Sequence, residues 1–429
     1  MRRASFCLSL AMVVAAPGGG LSGQDAAAER VQTIYHFKPS DGSTGGQFVE
    51  MVYDGEGGLF GALVGAGGTS SCAPDRQCGE IFHLTPTKSP GRWKRSVIHT
   101  FTGYPDDGQN PSGGPVIGPG GVLYGTTPVG GNGPCVGDTG QRGCGAIYSL
   151  SPPTMPDGRW RKEILYNFQG GSDGTNPIHL VCGADGVLYR AAPGYGMYSL
   201  TPPNAPGGQW VRTAIVTSGI GDIQTLTMAP NGVIYGTGPK MAFSLTPPNT
   251  PGGPWTTAIL HTFGGSGDGK GLGAPMTLDA NGNLFGTTHF GGAHPCGNRG
   301  SGCGTVYELS PPAAAGGEWK ETILYNFPGR HYGEFPYVGV AIGNNGAVYT
   351  STPHGGNFLH PPTICLHTRP KNCGVLIELS PPASPGGNWV PTVLHRFRGE
   401  DGWEPAGITV TPDGSVYRVT RATIYALKP

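Results

Sequence analysis

The sequence predicts an all-β fold, a seven-bladed β-propeller of four-stranded blades, on three observations: a short motif that recurs seven times, glycine turns in register with it, and chain ends that complement one another. The motif is clearest at Leu123-Tyr124-Gly125-Thr126-Thr127 and Leu284-Phe285-Gly286-Thr287-Thr288. It returns more loosely at Leu59, Leu188, Ile234, Val348 and Val416. Just before it stands a Gly-bearing turn, as at Asp185-Gly186, Asn231-Gly232, Asn281-Gly282, Asn345-Gly346 and Asp413-Gly414, which is the chemistry of a tight hairpin. A repeat of about 45 to 70 residues suits one blade.

The elements follow in order. A first strand begins at a proline and runs into the glycine turn, as from Pro177 to Asp185, and the motif is the second strand. The third alternates with a period of two, as in Ala146 to Leu150 and Thr305 to Leu309, the mark of a strand packed on one face. A Pro-Gly loop then leads to a tryptophan in six repeats (Trp93, Trp160, Trp210, Trp255, Trp319, Trp389), which opens the fourth strand. Six residues on stand His99, Tyr166, His261, Tyr325 and His395; eight on stand Phe101, Phe168, Phe263, Phe327 and Phe397. Only the Trp210 repeat departs, with Val216 and Ser218. Even offsets predict that all three side chains share one strand face. The segment Val31 to Phe37 reads as a fourth strand and Thr423 to Leu427 as a third. The N-terminal strand is therefore expected to complete the seventh blade and leave no open edge.

Composition agrees. The 78 glycines and 42 prolines in 429 residues recur in register, as many tight turns require. Charged residues are 13%, with 27 basic balancing 27 acidic, so no global field steers the chain towards nucleic acid, and that partner is excluded. Residues 1–23 read as a secretory leader: Met1-Arg2-Arg3, an apolar run from Ala4 to Ala16 that is too short to span a bilayer, then small and polar residues. Residues 24–429 are expected to form a single propeller domain with no transmembrane segment, secreted or periplasmic. Cys7 falls in the leader. Eight of the other nine cysteines form close pairs: Cys72 with Cys78, Cys135 with Cys144, Cys296 with Cys303, and Cys365 with Cys373; the ninth is Cys182. Their unequal spacings do not match zinc knuckles and point to local disulfides in an oxidising compartment, each worth about 2–3 kcal/mol.

The pattern Leu-Tyr-Gly-Thr-Thr, Gly-Gly, Val-Tyr-x-Leu, Phe, Asp-Gly-x-x-Pro resembles the GloVer-containing tandem-repeat family of bacterial extracytoplasmic (choice-of-anchor) proteins. The resemblance covers nearly all of the chain after the leader. It is close in the repeats at Leu123 and Leu284 and weak at Leu188 and Val416, where arginine replaces the central glycine. It implies export and a propeller-like array, and carries no established biochemical activity.

With the first strand innermost, the loop after the motif and the Asp-Gly-x-x-Pro loop open on the same face. The cysteine pairs lie in the motif loops of blades 1, 2, 5 and 6, while blades 3, 4 and 7 have short ones, so a groove is expected between two walls. Arg190, Lys240, Arg418 and Arg421 would give it a basic floor for an anionic ligand, with solvated side chains as the blander reading. His289 and His354, with His294, His360 and His367, belong to the walls. Trp403 offers either a stacking surface for a sugar ring or a core contact. His99, His261 and His395 alternate with tyrosine between repeats, which is packing. Asp107, Asp173, Asp268 and Asp401 each precede glycine as a turn signal, and with one carboxylate per loop no metal or other cofactor is expected. No phosphate loop or Gly-x-Ser-x-Gly elbow is present. The expected function is an exported, monomeric, non-catalytic binding scaffold for a polysaccharide, an anionic one in particular, or for another exported protein. The alternative is a glycoside hydrolase or polysaccharide lyase using His289, His354 and Glu404.

Overall fold

The computed structural model describes residues 31–38, 41, 51–65, 78–137 and 140–428, except 156–157, 178, 193–195, 206, 216–218, 251, 266, 297–300, 315, 357–372, 385, 400 and 421. Residues 1–23, expected to be a secretory leader, lie outside the described residues. Seven four-stranded antiparallel sheets follow one another along the chain. Blade 2 is typical: Ser112–Ile117, Leu123–Thr127, Ala146–Ser151 and Arg161–Asn167, each strand beside the next. Blade 7 takes Ala406–Val410, Val416–Val419 and Thr423–Leu427 from the C-terminal end and Val31–His36 from the N-terminal end, pairing Val31 with Leu427 and His36 with Thr423. The ring is thus closed by strand pairing, and the fold is the expected seven-bladed propeller.

The first strands are innermost. A cavity of about 410 Å3 on the axis is lined by Val52, Ser112, Pro115, Leu180, Leu226 and Pro275, all at or just before the first strands of blades 1 to 5. Threonine hydroxyls on these strands bond to the backbone of the next blade: Thr227 to Met276 (2.6 Å), Thr277 to Val340 (2.5 Å) and, across the closure, Thr409 to Met51 (2.6 Å).

The core lies in the seams between blades. Each seam is made by aromatic side chains from both partners. The tryptophans pack edge-on against the motif aromatic of the preceding blade: Trp93 on Tyr417, Trp160 on Phe60, Trp210 on Tyr124, Trp255 on Tyr189 and Trp319 on Tyr235, at centroid distances of 5.5 to 6.0 Å. The phenylalanines eight residues on pack the other way, against the third-strand aromatic of the following blade: Phe101 on Tyr148, Phe168 on Tyr198, Phe263 on Tyr307 and Phe397 on Tyr425. The expectation that both share one strand face is therefore corrected. In blades 1, 2, 4, 5 and 6 a β-bulge shifts the register between third and fourth strands, as between Ile147 and Tyr148, and an extra residue inverts the facing of everything beyond it.

The motif's central glycine has a steric reason. A Cβ at Gly61, Gly125, Gly236 or Gly286 would run into the ring of Phe82, Tyr148, Phe243 or Tyr307 on the neighbouring strand. Blades 3 and 7 place Arg190 and Arg418 there instead.

Candidate functional site

The loop face is built by zipping two connections together in blades 2 and 5. Gly108–Gln109 pairs with Val129–Gly130, and Gly269–Lys270 pairs with Phe290–Gly291, so the Asp-Gly loop entering each of these blades lies beside the loop that follows the motif. Cysteines fix this arrangement. Cys135 is joined to Cys144 and Cys296 to Cys303. Cys78 and Cys373 are also disulfide-bonded, while Cys72 and Cys365 lie outside the described residues. The residue before each loop proline, Asn110, Asn176, Phe335 or Glu404, has a positive φ of 49 to 59°. Its N–H donates to the carbonyl of Cys78, Cys144, Cys303 or Cys373 at 2.7 to 3.1 Å. The staple thus holds a non-glycine residue in a conformation that costs about 1 kcal/mol or more.

Over blades 4 to 6 this face carries a composite site. A pocket of about 370 Å3 is lined by Pro239, Lys240, Phe263, Gly264, Lys270 and Gly271, with both lysines exposed. Its Gly271 edge continues into the blade 5 loop: the His289 N–H donates to the Gly271 carbonyl at 2.9 Å, and Lys270 pairs with Phe290. From there an aromatic shelf runs towards the axis. His289 stacks on Tyr337 at 4.0 Å and lies 5.4 Å from Phe335, while Tyr337 and Phe335 each meet His354 at 6.3 and 6.2 Å. Phe290 and Tyr337 are exposed, at 36% and 51%. Tyr337 follows its loop proline as Ser112, which lines the axial cavity, follows Pro111.

Burial, and then the neighbouring His354, push the His289 imidazole down to about 4, against hydrogen bonds to the Pro336 and Phe335 backbone that raise it. Burial also lowers His354, partly offset by Glu404. The Nδ1 atoms of both rings are buried without a hydrogen-bond partner. Both rings are therefore neutral near pH 7.

The structure sorts the predicted site residues. Lys240, His289 and His354 come together on the loop face. Arg190 and Arg418 do not reach it: both are fully buried. The Arg190 guanidinium donates to Tyr198 Oη (3.0 Å) and the Asn176 carbonyl (3.0 Å) and lies over the Phe168 ring; Arg418 donates to Ser351 Oγ. They are neither a basic groove floor nor solvated side chains, because the third-strand tyrosine leaves them only the seam to occupy. Trp403 packs against the blade 6 and 7 core, and His294 is exposed. Arg421, His360 and His367 lie outside the described residues. Sequence reasoning missed Lys270, Phe290 and Tyr337. Their signal was departure from the repeat: Lys270 follows Asp268-Gly269 where Gln109 follows Asp107-Gly108. It also read Asp107, Asp268 and Asp401 first of all as turn residues, and their side chains in addition bond His99 (2.9 Å), His261 (3.3 Å) and His395 (2.7 Å).

A larger cleft of about 830 Å3 opens on the opposite face, among the glycine turns of blades 2 to 4, beside half-buried Cys182. It is lined mainly by turn residues that recur from blade to blade.

A ring of seven such blades with its varied loops on one face defines the chain as a β-propeller. Among solved structures it is similar to a streptogramin B lyase (TM-score 0.53, 12% identity, 92% of this chain and 96% of that one). It is also similar to virginiamycin B lyase from Staphylococcus aureus (0.53, 9%, 93% and 99%). A third is the extracellular domain of a putative hybrid two-component system from B. thetaiotaomicron (0.52, 9%, 93% of this chain and 41% of that one). These likenesses are of fold. No family model matches the sequence, and no curated protein does.

Proposed function

We propose that the protein is an exported, non-catalytic binding scaffold for an acidic polysaccharide, and that the blade 4 to 6 loop face is its site. The observation that carries this reading is one surface on which exposed Lys240 and Lys270 adjoin exposed Phe290 and Tyr337. Sugar rings stack on aromatic faces, and lysine ammonium groups pair with uronate or sulfate. Export is supported by the leader-like N-terminus, the disulfides and the GloVer-like motifs, and no helix among the described residues is long and apolar enough to cross a membrane.

The enzymatic alternative places a glycoside hydrolase or polysaccharide lyase at His289, His354 and Glu404. A general base works best with a pKa near the working pH, and His289 at about 4 falls well short, so binding is favoured. Native affinity electrophoresis in gels containing neutral or acidic polysaccharide tests both. Retardation by acidic polymers only, lost in a Lys240→Ala/Lys270→Ala variant and weakened in Tyr337→Ala, is expected. Equal retardation of the double variant would remove the lysines from the site, and shortening of the polymer would favour the enzyme.

A further inference from the structure

The seams repeat an electrostatic pattern with one inversion. The residue two beyond each tryptophan faces the aspartate loop of the preceding blade. Arg95 lies 3.7 Å from Asp41, Lys162 3.0 Å from Asp107, and Arg212 3.6 Å from Asp173, so in three seams a cation answers the carboxylate. The position is uncharged in blades 4 and 6, where it is Thr257 and Pro391. In blade 5 it is Glu321, which faces Asp268 of blade 4.

Two carboxylates and an imidazole therefore share the place that a side-chain cation fills elsewhere. His261 Nε2 lies 3.3 Å from both Asp268 Oδ2 and Glu321 Oε2, and one donor atom from each residue lies within 4.8 Å of the others. The carboxylate side chains are only 11% and 15% exposed. Glu321 Oε1 is buried with no hydrogen-bond partner. The hydroxyl of Tyr307 in the same seam is also buried without a partner, as is that of Tyr425 in the blade 6–7 seam.

We infer that His261, Asp268 and Glu321 form a binding site for a first-row divalent cation, Zn2+ above all, at the blade 4–5 seam. One imidazole nitrogen with two carboxylate oxygens is a donor set for Zn2+; Ca2+ calls for six or more oxygens. The second carboxylate, which a reading of single loops does not find, comes from the next blade. The cluster adjoins the pocket proposed to bind polymer, since the Gly264 N–H donates to Asp268, but it uses none of that pocket's lysines, so metal uptake and polymer retardation are separate readouts and either reading can fail alone.

The test is calorimetric titration of chelator-stripped full-length protein with Zn2+, and separately with Ca2+. Wild type should take up one Zn2+ that Glu321→Lys, which installs the cation Lys162 supplies in blade 2, binds about tenfold or more weakly. Zn2+ should raise the melting temperature of wild type but not of that variant. Should Glu321→Lys fail to fold, Asp268→Asn replaces it, with the same loss expected. Uptake of Zn2+ unchanged in the variant, no uptake by wild type at millimolar Zn2+, or Ca2+ binding tighter than Zn2+ would each overturn the assignment.

Discussion

The central residue of each motif strand shows how one atom constrains a blade. Gly125 and Gly286 lie beneath the rings of Tyr148 and Tyr307, which are fully buried, so a methyl group there must displace an aromatic side chain or its strand. Gly125→Ala and Gly286→Ala should each cost about 1–3 kcal/mol, read as a lower urea midpoint. Gly273, with nothing within 4 Å of an added Cβ, is the control, and Gly273→Ala should stay within about 0.5 kcal/mol. His289 sets a pH dependence. Its folded pKa of about 4 lies below the ordinary 6.5, so between these values the unfolded chain holds a proton that the native state lacks. Stability from this residue is complete above about 6.5 and falls as the pH drops towards about 4. Stability measured across that window should decline in wild type and decline less in His289→Gln.

Within an element, the β-bulge in the fourth strand does most to turn a repeated sequence into a ring. By shifting register beyond the tryptophan, which packs on the preceding blade even in unbulged blade 3, it turns the later phenylalanine to the following blade, so one strand serves two seams. Trp210→Ala, at a half-buried position 6.0 Å from Tyr124, should cost about 2–3 kcal/mol, less than a fully buried tryptophan; a smaller loss of chemical-denaturation stability would assign that seam to other contacts. The strands and turns were legible in the sequence because glycine chemistry and a period of two are local. The bulge was not, because neither composition nor periodicity marks an unpaired residue. The staples act at the same scale. A Cys135→Ser/Cys144→Ser variant should lose about 2–3 kcal/mol and protect the Asn176 amide less well in hydrogen exchange, since that N–H donates to Cys144.

At the scale of the whole molecule, closure joins the two ends of the chain. Val31–His36 pairs with Thr423–Leu427, and Thr409 reaches Met51 across the same junction. A chain beginning after Phe37 should expose the edge of Thr423–Leu427 and lose the Phe37 contact with Phe82 at 6.0 Å. The expected result is a lower melting temperature with self-association on gel filtration, and an unchanged elution profile would show that the edge is protected by other means.

The sequence by itself determined the number of blades, the four strands in each, the closing strand, the face carrying the loops and the pairing of Cys135 with Cys144 and of Cys296 with Cys303, because all of these rest on local patterns along the chain. The tertiary structure decided which side chains meet across a seam. Arg190 and Arg418, read as ligand contacts or solvated side chains, are buried, the first over the Phe168 ring and the second against Ser351; Lys270 and Tyr337 join Lys240 and His289 on one surface; Glu321 meets Asp268 from another blade. Each of these facts pairs residues from different strands or blades. Spacing along the chain does not carry them, because the register shift within a blade and the stacking between blades set which face every side chain presents.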